Sequence, residues 1–136
     1  MYMSTVLLTT LAALAWAQDA PECHCGMFIT AFHNEYLVHL LPPFDLDDCS
    51  AMEACNSKCN DEFDALTGGG YLNYSLNNGF TVGQELCLTM LIEYDIDHVE
   101  EEAVYGYARQ CNGPWDYDGG STFDQLCCWE GRYYEC

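Results

Sequence analysis

Hydrophobic positions change their spacing several times along this chain, and each change marks an element. From Asp48 to Leu66 the spacing is helical. At about 100° per residue, Met52, Cys55, Cys59, Phe63 and Leu66 fall in one stripe about 80° wide. Ser50 followed by Glu53 is a capping-box start, and Gly68 stands where a helix C-cap would. Glu62 intrudes only at the edge of the stripe. Cys55 and Cys59 therefore point the same way, into whatever the helix packs on.

On either side the pattern favours strands. Met27 to Phe32 is a β-branched and aromatic run, His33-Asn34-Glu35 suits a turn, and Tyr36 to Leu41 suits the return strand. Pro42-Pro43 ends it, because proline cannot donate to a ladder. After Gly68-Gly69-Gly70, Leu72, Tyr74 and Leu76 alternate with Tyr71, Asn73 and Ser75. A three-residue loop with Gly79 left-handed sets Leu76 against Phe80 and Tyr74 against Val82, which keeps one face apolar.

From Thr81 the spacing returns to about 3.6, with Thr81 and Gln84 as a capping box and Leu86, Met90, Leu91 and Tyr94 on the stripe. Asp97 with Glu100 predicts a third helix running through Val99, Ala103 and Tyr107 to Arg109 or Gln110. Trp115 to Gly120 then reads as an aromatic, acidic loop. Leu126 to Trp129 and Arg132 to Cys136 read as a closing hairpin around Glu130-Gly131. The expected fold is α+β, with about three helices plus short antiparallel hairpins.

The N-terminus adds a compartment. Val6 to Trp16 is a run of eleven, apolar but for Thr9 and Thr10, and Ala15-Trp16-Ala17 is a small-x-small cleavage site. At 1.5 Å per residue the run is too short to span a bilayer of about 30 Å. Residues 1–17 are thus expected to be a secretory signal peptide, and 18–136 a single disulfide-stapled extracellular domain, with no membrane insertion.

All ten cysteines follow the cleavage site: Cys23, Cys25, Cys49, Cys55, Cys59, Cys87, Cys111, Cys127, Cys128 and Cys136. An even count in a small secreted chain predicts five disulfides. Zinc is the competitor, but Cys23-His24-Cys25 has no C-x-x-C partner elsewhere. The pairing stays open. Geometry separates only the adjacent Cys127 and Cys128, and by the same logic Cys23 and Cys25, onto different partners.

Charge excludes several functions. Twenty-two acids face Lys58, Arg109 and Arg132 alone, a net charge of −19. Nucleic acids and anionic membranes are bound mainly through Lys and Arg, so both are disfavoured partners. An extracellular cation, a basic protein or a glycan fits better, although such charge also serves plain solubility.

Candidate sites follow from these patterns. Asp116 and Asp118, before Gly119-Gly120, resemble the start of a calcium loop that Asp124 could join. It is not an EF-hand, since Ser121 and Cys127 stand where glycine and glutamate would be needed. Trp115, Tyr117 and Trp129, planar aromatics beside carboxylates, suit carbohydrate stacking or a protein hot spot. Asn73-Tyr74-Ser75 is the chain's glycosylation sequon. There is no G-x-S-x-G, and an even cysteine count leaves no free thiol nucleophile. The His-Asp-x-Cys-Cys order of small secreted phospholipases is absent.

The expected function is that of a secreted, acidic, cysteine-rich, non-enzymatic binding or structural protein of an extracellular fluid or matrix. No cofactor is expected, with calcium the one candidate. Two alternatives remain: a small secreted hydrolase using a carboxylate pair or a histidine, and a toxin- or effector-like secreted protein.

Overall fold

Two disulfides laid side by side tie the first helix to the first strand, and the rest of the chain is arranged about that joint. The computed structural model describes residues 20–136; the expected signal peptide lies outside the described residues. Strand β1 (Glu22–Ala31) carries Cys23 and Cys25, and helix α1 (Met52–Leu66) carries Cys55 and Cys59. The bonds are Cys23–Cys55 and Cys25–Cys59, with Cα separations of 5.5 and 5.2 Å. Two positions along a strand rise about 6.6 Å and four along a helix about 6 Å, so the two spacings match and both rungs close without bending either element. The remaining bonds are Cys49–Cys111, Cys87–Cys128 and Cys127–Cys136. Adjacent Cys127 and Cys128 do face different partners, as do Cys23 and Cys25.

β1 is the centre of the larger sheet, whose order is β2-β1-β5-β6, with the two-residue β3 (Phe44–Asp45) also pairing to β1. Here β2 is Asn34–Leu40, β5 Val104–Gln110 and β6 Trp115–Ser121. A smaller sheet of order β4-β7-β8 combines His98–Glu102, Leu126–Trp129 and Arg132–Glu135. Helix α2 (Val82–Tyr94) packs against the smaller sheet and β2. Every pairing is antiparallel.

Alternation along β1 decides where the core lies. Cys23, Cys25, Met27, Ile29 and Ala31 are buried on one face, and beneath them sit Phe63, Leu72, Leu86, Met90, Val99, Val104 and Leu126. Around the rungs a second cluster gathers Ala108, Leu41, Phe44, Leu46 and Met52.

The architecture is α+β as expected, with two helices rather than three among the described residues. The third expected helix is β4 and β5. Val104, Gly106 and Ala108 are buried while Tyr105, Tyr107 and Arg109 are not, a period of two that pairing with β1 stabilises over the helical reading. Asp95, at φ 55°, ends α2 before the change. Trp115 to Gly120 is strand β6 rather than a loop, because Trp115 and Tyr117 register against Arg109 and Tyr107. The first hairpin turns at Phe32-His33 instead of His33 to Glu35, with both residues left-handed at φ 51° and 64°.

Helix ends show the same mixture. Thr81 Oγ1 accepts from the Gln84 N–H at 3.1 Å, but the Gln84 side chain does not close the box. It donates to the Gly131 carbonyl and accepts from the Tyr133 N–H instead. The box expected at Ser50 and Glu53 is absent: α1 begins after Ala51, and Ser50 donates to the Asp48 carboxylate. The middle hairpin holds its expected register, with Ser75 bridging Thr81 and Gly79 at φ 86°, though as an isolated bridge rather than a ladder. The closing hairpin is present as β7 and β8.

Candidate functional site: an aromatic sheet face that runs into a polar cleft

The face of the larger sheet turned away from the helices carries aromatic rings on three consecutive strands. An antiparallel sheet covered on one side leaves every second residue of each strand uncovered on the other. Here those residues include Phe28 on β1, Tyr105, Tyr107 and Arg109 on β5, and Trp115 and Tyr117 on β6. Register brings them together. Phe28 lies 4.8 Å from Tyr107 and 5.2 Å from Trp115, ring centre to ring centre, both edge to face. Tyr117 stands 5.9 Å from both Tyr105 and Tyr107. The Arg109 guanidinium lies 6.0 Å from the Trp115 ring, within reach of a cation–π contact.

A glycine makes this packing possible. A Cβ at Gly26 would stand 2.9 Å from Leu37, 3.2 Å from Trp115 and 3.3 Å from Phe28. Without one, those three side chains close directly over β1.

Tyr105 also lines a cleft of about 780 Å³, so the aromatic row continues into a recess. Its walls are polar: Asn73, Ser121, Asp124, Gln125 and Glu135 present amides, a hydroxyl and carboxylates, with Tyr133 between them. Tyr71 and Phe123, both exposed and 5.7 Å apart, form its aromatic lip. The Asn73 amide donates to Glu135 at 3.3 Å, and Asp124 accepts from the Leu72 N–H at 3.1 Å.

Two phenols on this surface are held protonated. Burial pushes the Tyr133 hydroxyl up, helped by Asp124 and Glu135. Burial, then Glu35, does the same for Tyr107, whose hydroxyl reaches Glu35 at 3.5 Å. Tyr133 can donate a hydrogen bond to a ligand throughout the neutral range, whereas the single Tyr107 proton is directed at Glu35.

The residues singled out in the sequence divide among three places. Trp115 and Tyr117 join the aromatic face. Trp129 does not: it is exposed at the end of the smaller sheet, its ring 4.1 Å from His98. Asp116 and Asp118 alternate with Trp115 and Tyr117 and so leave β6 on the opposite side, while Asp124 is on the cleft. The structure therefore does not gather the acidic trio. Among the described residues, the one group of three or more metal-ligand atoms close enough to share an ion is Cys23, Cys25 and Cys59. Those sulfurs are neighbours because the two rungs are adjacent, and each is bonded in a disulfide.

Asp118 is instead a half-buried carboxylate over Gly106 and Gly120, against the Phe63 ring. Burial raises its pKa above the ordinary 3.8, opposed by the Gly120 N–H at 2.7 Å and the Asn60 amide. A raised folded value means that the folded state holds the proton more tightly than the unfolded chain does. The ionised group therefore detracts from stability at neutral pH, and that loss is relieved as pH falls through the folded value. Asp118→Asn should melt above the parent at pH 7, with the gap vanishing below pH 3.8. A gap unchanged across a thermal series from pH 3 to pH 7 would contradict this.

Sequence reading missed Phe28, Tyr105, Tyr107, Tyr71, Phe123 and Glu135, while Tyr133, which clusters with Trp129 and Tyr134 in the sequence, lines the cleft without Trp129. For Tyr105 and Tyr107 a signal existed in the alternation of Val104-Tyr105-Gly106-Tyr107-Ala108-Arg109, which the helical reading hid. The cleft left no local signal, since its walls come from separate stretches of chain scattered between Tyr71 and Cys136. Comparison with protein-family models, with curated proteins and with solved structures finds no match to this chain.

Proposed function

We propose that this chain is a secreted, acidic, non-enzymatic binding domain that takes an uncharged glycan along its aromatic face and into the adjoining cleft. One observation carries the reading: Tyr105 joins a row of aromatic rings to a recess walled by amides, carboxylates and a hydroxyl. Sugars offer apolar C–H faces that stack on aromatic rings and hydroxyls that need paired donors and acceptors. A surface carrying both over an extended path suits several sugar units in line. The net charge of −19 disfavours sulfated or carboxylated glycans. Five disulfides are compatible with an extracellular setting.

The test is affinity electrophoresis of the oxidised protein in gels holding single neutral polysaccharides, run beside Tyr117→Ala and Phe123→Ala. Both side chains are exposed, at 49% and 77%, so neither change should disturb the fold. The parent should be retarded by at least one neutral polymer. Each variant should lose affinity about 5- to 30-fold, the range typical of truncating a contacting aromatic. Equal mobility of parent and variants in every gel would reject the reading.

A further inference from the structure

A second surface, at the far end of the smaller sheet, has different chemistry. The turn between β1 and β2 displays Phe32, 65% exposed, and the β7–β8 hairpin displays Trp129, 55% exposed. His98 links them. It lines a recess of about 410 Å³ with Phe32, Ala31, Val99, Glu100 and Glu102, and its ring lies 4.1 Å from that of Trp129. Glu100 stands 3.7 Å from His98 and is mostly exposed.

Phe32 is a poor choice for its position on local grounds. Two-residue turns with both φ values positive favour Asn-Gly, and a bulky aromatic in the left-handed region is a rare exception. Nothing in the core requires it, since the ring projects into solvent. Charge indicates what such a patch would meet. Glu100 and Glu102 line the recess, Glu101 lies between them in sequence and Glu130 follows Trp129, while Arg132 is the register partner of Trp129. Lys58 and Arg109 are engaged elsewhere, over the rings of Phe44 and Trp115.

We propose that Phe32, His98 and Trp129, with Glu100 and Glu102, form a docking surface for a basic protein partner, receiving one of its Lys or Arg side chains. Ring faces and carboxylates both attract such a cation, and a chain of net charge −19 steers a basic macromolecule toward itself. This surface is separate from the cleft and aromatic face, so its test does not depend on glycan binding.

The experiment titrates the oxidised full chain with capped alternating Lys-Gly and Arg-Gly peptides, using a Ser-Gly peptide as control, at low and at physiological salt. Phe32→Asn suits the left-handed turn and should fold at least as well as the parent. It should weaken binding of the basic peptides about 2- to 5-fold. Glu100→Gln/Glu102→Gln should weaken it further, while Asp61→Asn/Glu62→Gln, an equal charge change on the exposed face of α1, should leave it near the parent value. Equal losses in the two double variants would mean diffuse attraction only, and would overturn the proposal. So would binding that Phe32→Asn leaves untouched, preference for a cationic aminoglycan over the peptides, or a dimer of this chain that Phe32→Asn dissolves.

Discussion

Deleting both rungs between β1 and α1 should destabilise the protein by about 6 kcal/mol, whereas deleting either alone should remove only about 2. The reason lies in the loops they close. Cys23–Cys55 and Cys25–Cys59 span 32 and 34 residues of nearly the same chain. With one bond in place, the other constrains only the short ring formed by β1 between Cys23 and Cys25 and α1 between Cys55 and Cys59. On the chain-entropy account, closing a loop of this larger size is worth about 3.7 kcal/mol, and closing the small ring about 2. Either bond can thus do most of the work of the pair, and the two deletions reinforce one another. Guanidinium unfolding of Cys23→Ala/Cys55→Ala, of Cys25→Ala/Cys59→Ala and of the fourfold variant measures all three terms. Folded pair variants beside an unfolded fourfold variant would express the same result at its limit. Strictly additive losses would show that the rungs act through their buried packing and not through loop closure.

Phe63→Ala should cost about 3–5 kcal/mol, the usual range for truncating a fully packed aromatic. Phe63 is 4% exposed on α1, and its ring fills the space left by two absent side chains: a Cβ at either Gly106 or Gly120 would stand 3.0 Å from it. Smaller neighbours cannot expand to fill the vacated volume, because glycine has no side chain to move. Those glycines lie on the inner side of β5 and β6, whose outer side carries Tyr105, Tyr107 and Tyr117. The loss should therefore extend beyond stability to a weaker near-ultraviolet dichroism from these tyrosines. Phe63→Leu should cost less, since it keeps part of the contact. A Phe63→Ala variant within about 1 kcal/mol of the parent would mean that the ring does not wedge the helix against the strands.

The elements most legible in the sequence were those whose pattern is local. The stripe of Met52, Cys55, Cys59 and Phe63 is a helix because its period is satisfied within fifteen residues. Gly79 and Glu130-Gly131 place their turns because positive φ is a property of two or three residues. Where sequence and structure part, two local readings were open and a distant strand chose between them. Asp97 and Glu100 offer a helix cap, while Val104 to Arg109 alternates as a strand does; pairing of β4 with β7, and of seven residues of β1 with β5, tips the choice. Trp115 to Gly120 has the aspartates and glycines of a loop, and pairing with β5 makes it a strand, sending its aromatics and its carboxylates to opposite faces.

Composition alone determined the acidity, the even cysteine count and the aromatic richness, since those are sums over residues that do not depend on folding. Local pattern put Cys55 and Cys59 on one helix face and sent Cys23 and Cys25 to separate partners, and it left the pairing open. Which cysteines met, and whether Trp115, Tyr107 and Phe28 shared a surface while Trp129 stood apart, depended on strand register. Register is set by the burial of one whole face across four strands, a long-range condition that no window of sequence contains.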